Sequence, residues 1–256
     1  KPYGYPPVPD EPAMAAVRRR LEKAGVHPAS LPLSIDIEAW LKRAKTGWDA
    51  FPNTGTGKID AEVGPLASAL AHPNVSLVTG ADVPRLETDA AGRRVIAAVY
   101  RKDGAEHRIS AGRFAVAAGA VQSAALLLRS SSTAHPAGLG NSSDQLGRNF
   151  MNHNTTAMLA IDPFAANSCV YQKTIAFNDF YNADNEYGFP LGNVQLLGHI
   201  TGNILKANLP VPAPAWFARL MARHAYGWFL TSEDLPNPES RVMVRDGRIV
   251  MHWIRS

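Results

Sequence analysis

Residues 114–129 read FAVAAGAVQSAALLLR. Phe114 to Ala118 form a continuous apolar run, the pattern of a strand buried on both faces. Gly119 follows at its end, and the stretch from Val121 to about Ser130 is rich in alanine and leucine, as a packed helix is. The whole predicts a parallel strand turning sharply into a helix beside a cofactor. A glycine at such a turn lets a backbone approach a flat ring or a phosphate closely. A helix starting there offers free N–H groups and the positive end of its dipole. Flanking alanines keep the surface small enough for a bulky group. Units of this kind usually sit in a domain opened by a G-x-G-x-x-G turn, and this sequence has none.

Upstream, RVIAAVYRKD and EHRISA follow DVPRLETD, with AAGR and DG between them as turn chemistry. They predict a small antiparallel meander over residues 82–111. Before it, NVSLVTG (74–80) reads as a short strand. Val63, Leu66, Ala67 and Leu70 recur at helical spacing and predict a helix from about Asp60 to Ala71, stopped by Pro73. Residues 26–57 read as irregular, with a short helix near Asp36 to Lys45. At the start, PYGYPPVPDEP is extended. Asp10 and Pro12 then open a helix with Met14, Val17 and Leu21 on one face, and Gly25 ends it.

Downstream the texture changes. HPAGLGNSSDQLGRNF reads as a loop. TTAMLAID, VYQKTIAF, NVQLLGHI, GWFLTS, SRVMV and RIVMHWI read as strands of an antiparallel sheet. Asp246-Gly247 is the favoured two-residue turn between the last two. A helix from about Trp216 to Arg223 lies among them. Its apolar residues, Trp216, Leu220 and Met221 with Trp228 beyond, are expected to pack on the sheet; a membrane-surface or partner contact is the alternative.

The chain has 256 residues, 46% of them apolar, enough for one large or two smaller domains. The net charge is +4 and the pI about 9.3. Arg18-Arg19-Arg20 is the sharpest basic cluster, and without interleaved aromatic residues it reads as a solvated helix face, so no nucleic-acid partner is expected. Cys169 is the single cysteine, which excludes an internal disulfide and a multi-cysteine metal site. No apolar run is long enough to cross a bilayer, and membrane contact is not expected. The sequence opens on Lys1 and stops within a strand-like stretch, so a piece of a longer protein is expected.

Several tempting motifs fail. GTGK at 55–58 lacks the first P-loop glycine, where Pro52 stands, and the Ser/Thr, where Ile59 stands. GLGNSS at 138–143 has a serine in place of the third glycine of a dinucleotide turn and follows a loop rather than a strand. There is no G-x-S-x-G. The histidines are scattered without metal-ligand spacing, so no metal is expected. His153, between two asparagines after the glycine-rich loop, has a site-like setting, although an ordinary hydrogen-bonded histidine would read the same.

The motifs that remain form a series. TGADV stands at 79–83, AAGAVQSAALLL at 117–128 and GRNFMNH at 147–153, with GKIDAEV at 57–63 and GLGNSSDQLG before the last. The series resembles the central part of the glucose–methanol–choline (GMC) oxidoreductases. Their patterns run "T-G-A-x-V", a meander, "A-A-G-A-[IV]-x-S-x-x-L-L-L" and a loop ending in "G-R-N-x-x-x-H". The resemblance covers residues 50–256 well. Two departures are a stretch DAFPNTGTGK where relatives often carry cysteines, and Asn152 where many have aspartate.

The resemblance implies an FAD-dependent enzyme acting on alcohols or sugars. The fold class expected is mixed α/β and α+β: part of an FAD/NAD(P)-binding domain plus an antiparallel-sheet substrate domain. Residues 1–55 would be a substrate-domain excursion, 56–153 a partial FAD-binding domain and 154–256 the substrate domain. Val83 would meet the adenine, and Ala118, Gly119 and Ala120 would lie along the cofactor. The family's dinucleotide turn lies upstream of such a segment and its proton-accepting histidine downstream, so no catalytic residue is expected here. The expected partners are a small alcohol or sugar, and either the remainder of the same enzyme or a second copy. A non-catalytic subunit of a split flavoprotein is the alternative.

Overall fold

The computed structural model describes residues 7–36, 38–39, 42, 57, 59–181, 188, 191–209 and 212–255. Most of the expected helix near Asp36 to Lys45, and most of GTGK, lie outside them. The chain falls into two compact units. The first comprises Lys1–Val75 and His153–Glu233, the second Ser76–Asn152 and Asp234–Ser256.

The first unit is built on a five-stranded antiparallel sheet. Its strands are β1 (Ala29–Ser30), β5 (Asn154–Ile161), β6 (Ile175–Phe177), β7 (Asn193–Leu196) and β8 (Ala225–Ser232), in the order β1-β6-β7-β8-β5. Helix α1 (Pro12–Lys23) covers it, with Met14 fully buried and Val17 and Leu21 packed beside it. Pro12 stands at the first helical position, where its missing N–H costs nothing. The cap residue is Glu11, not Asp10: the Glu11 carboxylate accepts from the Val170 and Tyr171 amides, while Asp10 holds Arg18 and the Thr174 hydroxyl. The side chains of α1's first turn thus bind the helix to a distant loop. The core beneath contains Cys169, Ile175, Phe177, Leu196, Tyr226 and Trp228, with the Phe177 and Trp228 rings edge to face at 5.9 Å.

A buried amide pair stiffens this core. Asn167 Nδ2 donates to Ala225 O at 2.9 Å and to Gln172 Oε1 at 2.5 Å, and Gln172 Nε2 donates to Leu197 O at 2.9 Å. These bonds satisfy polar groups that would otherwise be costly to bury. The Arg18–Arg20 cluster is partly neutralised: Arg18 pairs with Asp10, and Arg20 with Asp162 at 2.9 Å.

Two helices of the first unit depart from expectation. α2 (Ala67–Leu70), entered through a wide π-helical turn at Glu62–Leu66, begins where Asp60 Oδ1 accepts from the Glu62 and Val63 amides. The expected face is present but unburied, with Val63 and Leu70 exposed. A helix missed in the sequence, α4 (Gly202–Asn208), packs against α5 (Ala215–Arg223). The expectation that Trp216 and Leu220 pack on the sheet is overturned: Ala218 and Ala222 are the buried residues of α5, and Trp216, Phe217 and Leu220 are exposed.

In the second unit, β2 (Asp82–Thr88), β3 (Val95–Lys102) and β4 (Ala105–Ser110) form the expected antiparallel meander. Helix α3 (Gly119–Arg129) packs on β2, and Ser130 Oγ accepts from the Leu86 amide at 2.8 Å. The hairpin of β9 (Arg241–Arg245) and β10 (Arg248–His252) turns at Asp246-Gly247, both at positive φ as the turn requires.

That hairpin packs on α3. It therefore lies in the second unit and not, as the sequence suggested, with the sheet of residues 154–232. The other correction concerns residues 74–80 and 114–118. Neither joins a β-ladder among the described residues, and Leu77, Val78 and Val116 are exposed. A strand is defined by the partner that accepts its hydrogen bonds, and these two segments have apolar strand composition without one.

Candidate functional site

The four expected contact residues all lie in the second unit. Val83 is near the start of β2 and is exposed. Ala118, Gly119 and Ala120 form the N-terminal end of α3 and are exposed as well. β2 and α3 pack together, but the hydrogen bond that ties them, from Leu86 N to Ser130 Oγ, is at the opposite, C-terminal end of the helix. The N-terminal end stays open. The Ala118 amide is held by Ser123 Oγ at 3.1 Å, which fixes the turn from within the helix.

Gly119 has φ +75°, and a Cβ built on it meets nothing within 4 Å. The left-handed backbone and the empty space are separate facts. The first demands glycine, or at a cost asparagine. The second leaves the helix end accessible to a flat group. Small side chains at 118 and 120 continue the same open surface. The residues present therefore fit a bulky planar cofactor approaching along the backbone, with the first N–H groups of α3 turned towards negative charge.

The GRN motif has a structural role. Gly147 sits at φ +80°, and a Cβ there would stand 2.3 Å from Val242 O; the Val242 amide donates to Gly147 O at 2.8 Å. Arg148 donates from Nε to Asp144 O at 2.7 Å and from Nη1 to Pro238 O at 2.9 Å and Glu239 Oε1 at 3.2 Å. Arg241 Nη2 donates to Asp144 Oδ1 at 3.2 Å. Hydrogen bonds first from Arg148 and then from Arg241 hold the Asp144 carboxyl below the usual aspartate range. The loop 138–150 is thus stapled to β9. Buried Asn141 organises its other end, donating to Ala137 O and accepting from the Leu146 amide, both at 2.9 Å. His153 is exposed just before β5.

Two cavities had no clear signal in the sequence. One of about 340 Å³ in the first unit is lined by Val17, Leu21, Ile161, Tyr226 and Trp228, with the Arg20–Asp162 pair on its wall. Burial, above all, pushes the Tyr226 hydroxyl up from the ordinary tyrosine value. Another of about 450 Å³ in the second unit is lined by Arg129, Arg241 and Arg245 among apolar residues. Both draw their walls from segments far apart in sequence. No group of three or more metal-ligating side chains occurs among the described residues.

The chain is 37% identical over 144 residues to 6'''-hydroxyparomomycin C oxidase of Streptomyces lividus, an alignment covering 54% of this chain and 26% of that protein. It is 38% identical over 131 residues to paromamine 6'-oxidase of Streptomyces fradiae, covering 48% and 24%. It is also 38% identical over 77 residues to the fructose dehydrogenase large subunit of Gluconobacter japonicus, covering 30% and 14%. The chain thus spans about a quarter or less of these relatives. The crystal structure of pyridoxine 4-oxidase from Mesorbium loti superposes with a TM-score of 0.52 at 21% identity, covering 77% of this chain and 38% of that one, which supports the mixed fold. The family model described as GMC oxidoreductase matches residues 10–155, more than half of the sequence, and the chain belongs to the GMC oxidoreductase family.

Proposed function

We propose that this chain is the central portion of an FAD-dependent oxidoreductase acting on CH–OH groups of alcohols or sugars. The observation that carries the reading is the start of α3: an open, left-handed Gly119 between exposed alanines, in the family's order of motifs. The names of relatives that oxidise paromamine and fructose support the substrate class.

In this reading Ala118, Gly119 and Ala120 line the cofactor, and Val83 supplies a backbone edge for its adenine. FAD, when bound, supplies the acceptor for a hydride removed from the alcohol carbon. This chain's own part is to bind and to orient. The N–H groups that open α3 face the cofactor's negative charge, the small residues admit its plane, and the stapled 138–150 loop holds the helix against β9. We assign no proton-transfer step to these residues. The dinucleotide turn and the histidine base would come from outside them, and the exposed 74–80 and 114–118 segments would be paired by strands of the same enzyme.

The test uses the whole enzyme that carries the segment. Its purified form should be yellow and should bleach anaerobically with a sugar or simple alcohol, whereas the 256-residue chain alone should bind added FAD weakly and oxidise nothing. A colourless whole protein that ignores FAD, or an isolated chain that turns over alcohol, would overturn the proposal.

A further inference from the structure

Helix α5 is built the wrong way round for a helix that only covers a sheet. At about 100° per residue, Trp216, Leu220 and Phe217 share one arc, Ala218 and Ala222 lie opposite, and Arg219 and Arg223 both lie along one edge of the apolar arc. The structure buries the alanines and exposes the large residues: Trp216 is 63% exposed, Leu220 50% and Phe217 40%. The helix packs against α4, with the close approach made at Arg219, where a Cβ on Gly202 would come within 2.7 Å of Arg219 Cα. The Trp216 and Phe217 rings lie edge to face on each other at 5.8 Å. At the C-terminal end of the helix, the 162–167 turn is fastened by the Asn167 amide to Arg223 O at 2.8 Å, and its Phe164 is 97% exposed.

The charge around this ridge has one sign. Residues 187–232 contain no aspartate or glutamate, and their cations are Lys206, Arg219 and Arg223. The acid in the adjoining turn, Asp162, is already paired with Arg20. A face of two aromatic rings and a leucine with cations along one edge, and an exposed phenylalanine in the turn tied to the helix's C-terminal end, fits a partner that is apolar inside and anionic at its surface. We propose that α5 docks this protein peripherally on an anionic lipid bilayer, with Trp216, Phe217, Leu220 and Phe164 entering the headgroup boundary and Arg219 and Arg223 meeting the lipid phosphates. The contact is peripheral, since no helix among the described residues is long and apolar enough to cross a membrane. It does not depend on the flavin reading, because every residue invoked lies in the first unit.

The test is co-sedimentation of the whole enzyme that carries the segment with vesicles of phosphatidylcholine alone or mixed with phosphatidylglycerol, at low and high salt. Binding should require the anionic lipid and weaken with salt. Trp216→Ala and Leu220→Ala should each weaken it by about tenfold. Arg219→Gln and Arg223→Gln should each cost about fivefold on anionic vesicles only. Ile109→Ser, which removes an exposed apolar side chain from β4, should leave binding unchanged. Four outcomes would overturn the proposal: a whole enzyme that binds neither vesicle type, its ridge being covered by the rest of the protein, equal binding to both vesicle types, loss of binding on Ile109→Ser to the same degree, or a dimer in light scattering that Leu220→Ala dissociates. In the last case the ridge is an interface between copies.

Discussion

At Gly147 a single hydrogen atom decides whether a loop can lie on a strand. Alanine there would meet Val242 O at 2.3 Å and would have to hold φ +80°. Left-handed strain and overpacking together predict a loss of roughly 2–4 kcal/mol. Urea unfolding followed by a probe in the second unit would measure it, and a change within error would show that the staple gives way easily. Asp144 adds a pH dependence to the same staple. Its folded pKa is depressed by Arg148 and Arg241, so its contribution is full above the ordinary aspartate value of 3.8 and is lost as pH falls through the lower folded value. The protection of the Leu146 and Phe150 amides, taken relative to the intrinsic exchange rate at each pH, should therefore fall below about pH 4 and change little between pH 5 and 8. Gly119 is the opposite case. Leucine at Gly119 should abolish flavin retention in the whole enzyme, but it also strains the backbone. Ala118→Leu, at an ordinary φ of −92°, separates the two effects. If both variants keep their flavin, the assignment of this turn to the cofactor fails.

Most locally determined secondary structure was legible, α4 with its Thr201 cap being the exception. The meander, the Asp103-Gly104 and Asp246-Gly247 turns, α1 and α3 follow from alternation, turn residues and helical spacing, each of which acts over a few positions. What the sequence could not supply was partnership. FAVAA and NVSLV have the composition of buried strands, yet composition does not state which chain supplies the ladder, and both remain unpaired and exposed here. The same gap explains the reversed face of α5: hydrophobic spacing located the helix, but tertiary packing buried Ala218 and Ala222 instead of its large residues. GRN was legible as a family mark, while its work as a clamp depends on a hairpin ninety residues away in sequence. Of the site, small residues and a glycine could be read from sequence; the cavity beside Tyr226 and Trp228 could not, since its walls come from α1, β5 and β8. Hydrogen exchange should show the contrast directly. Amides of 95–102 and 225–232 should be well protected, and those of 75–79 and 114–118 should exchange orders of magnitude faster. Equal protection would mean that the two segments find partners in solution.

For the molecule as a whole, unpaired apolar segments favour association. The isolated chain is expected to self-associate in light scattering, and a monodisperse monomer at all concentrations would contradict this. The two units are also expected to differ in stability, because the first has its own ladder-paired sheet and the second carries both Leu77–Val78 and Val116 in the open. Cys169 offers a way to watch that difference. It is the one thiol in the sequence, it is 2% exposed, and it belongs to the core of the first unit. A thiol reagent reaches such a sulfur only while the unit is open, so the labelling rate is a clock for that opening and is silent about the second unit. Heating the chain with reagent present should leave Cys169 unmodified through a temperature range in which residues 114–118 are already cut by protease.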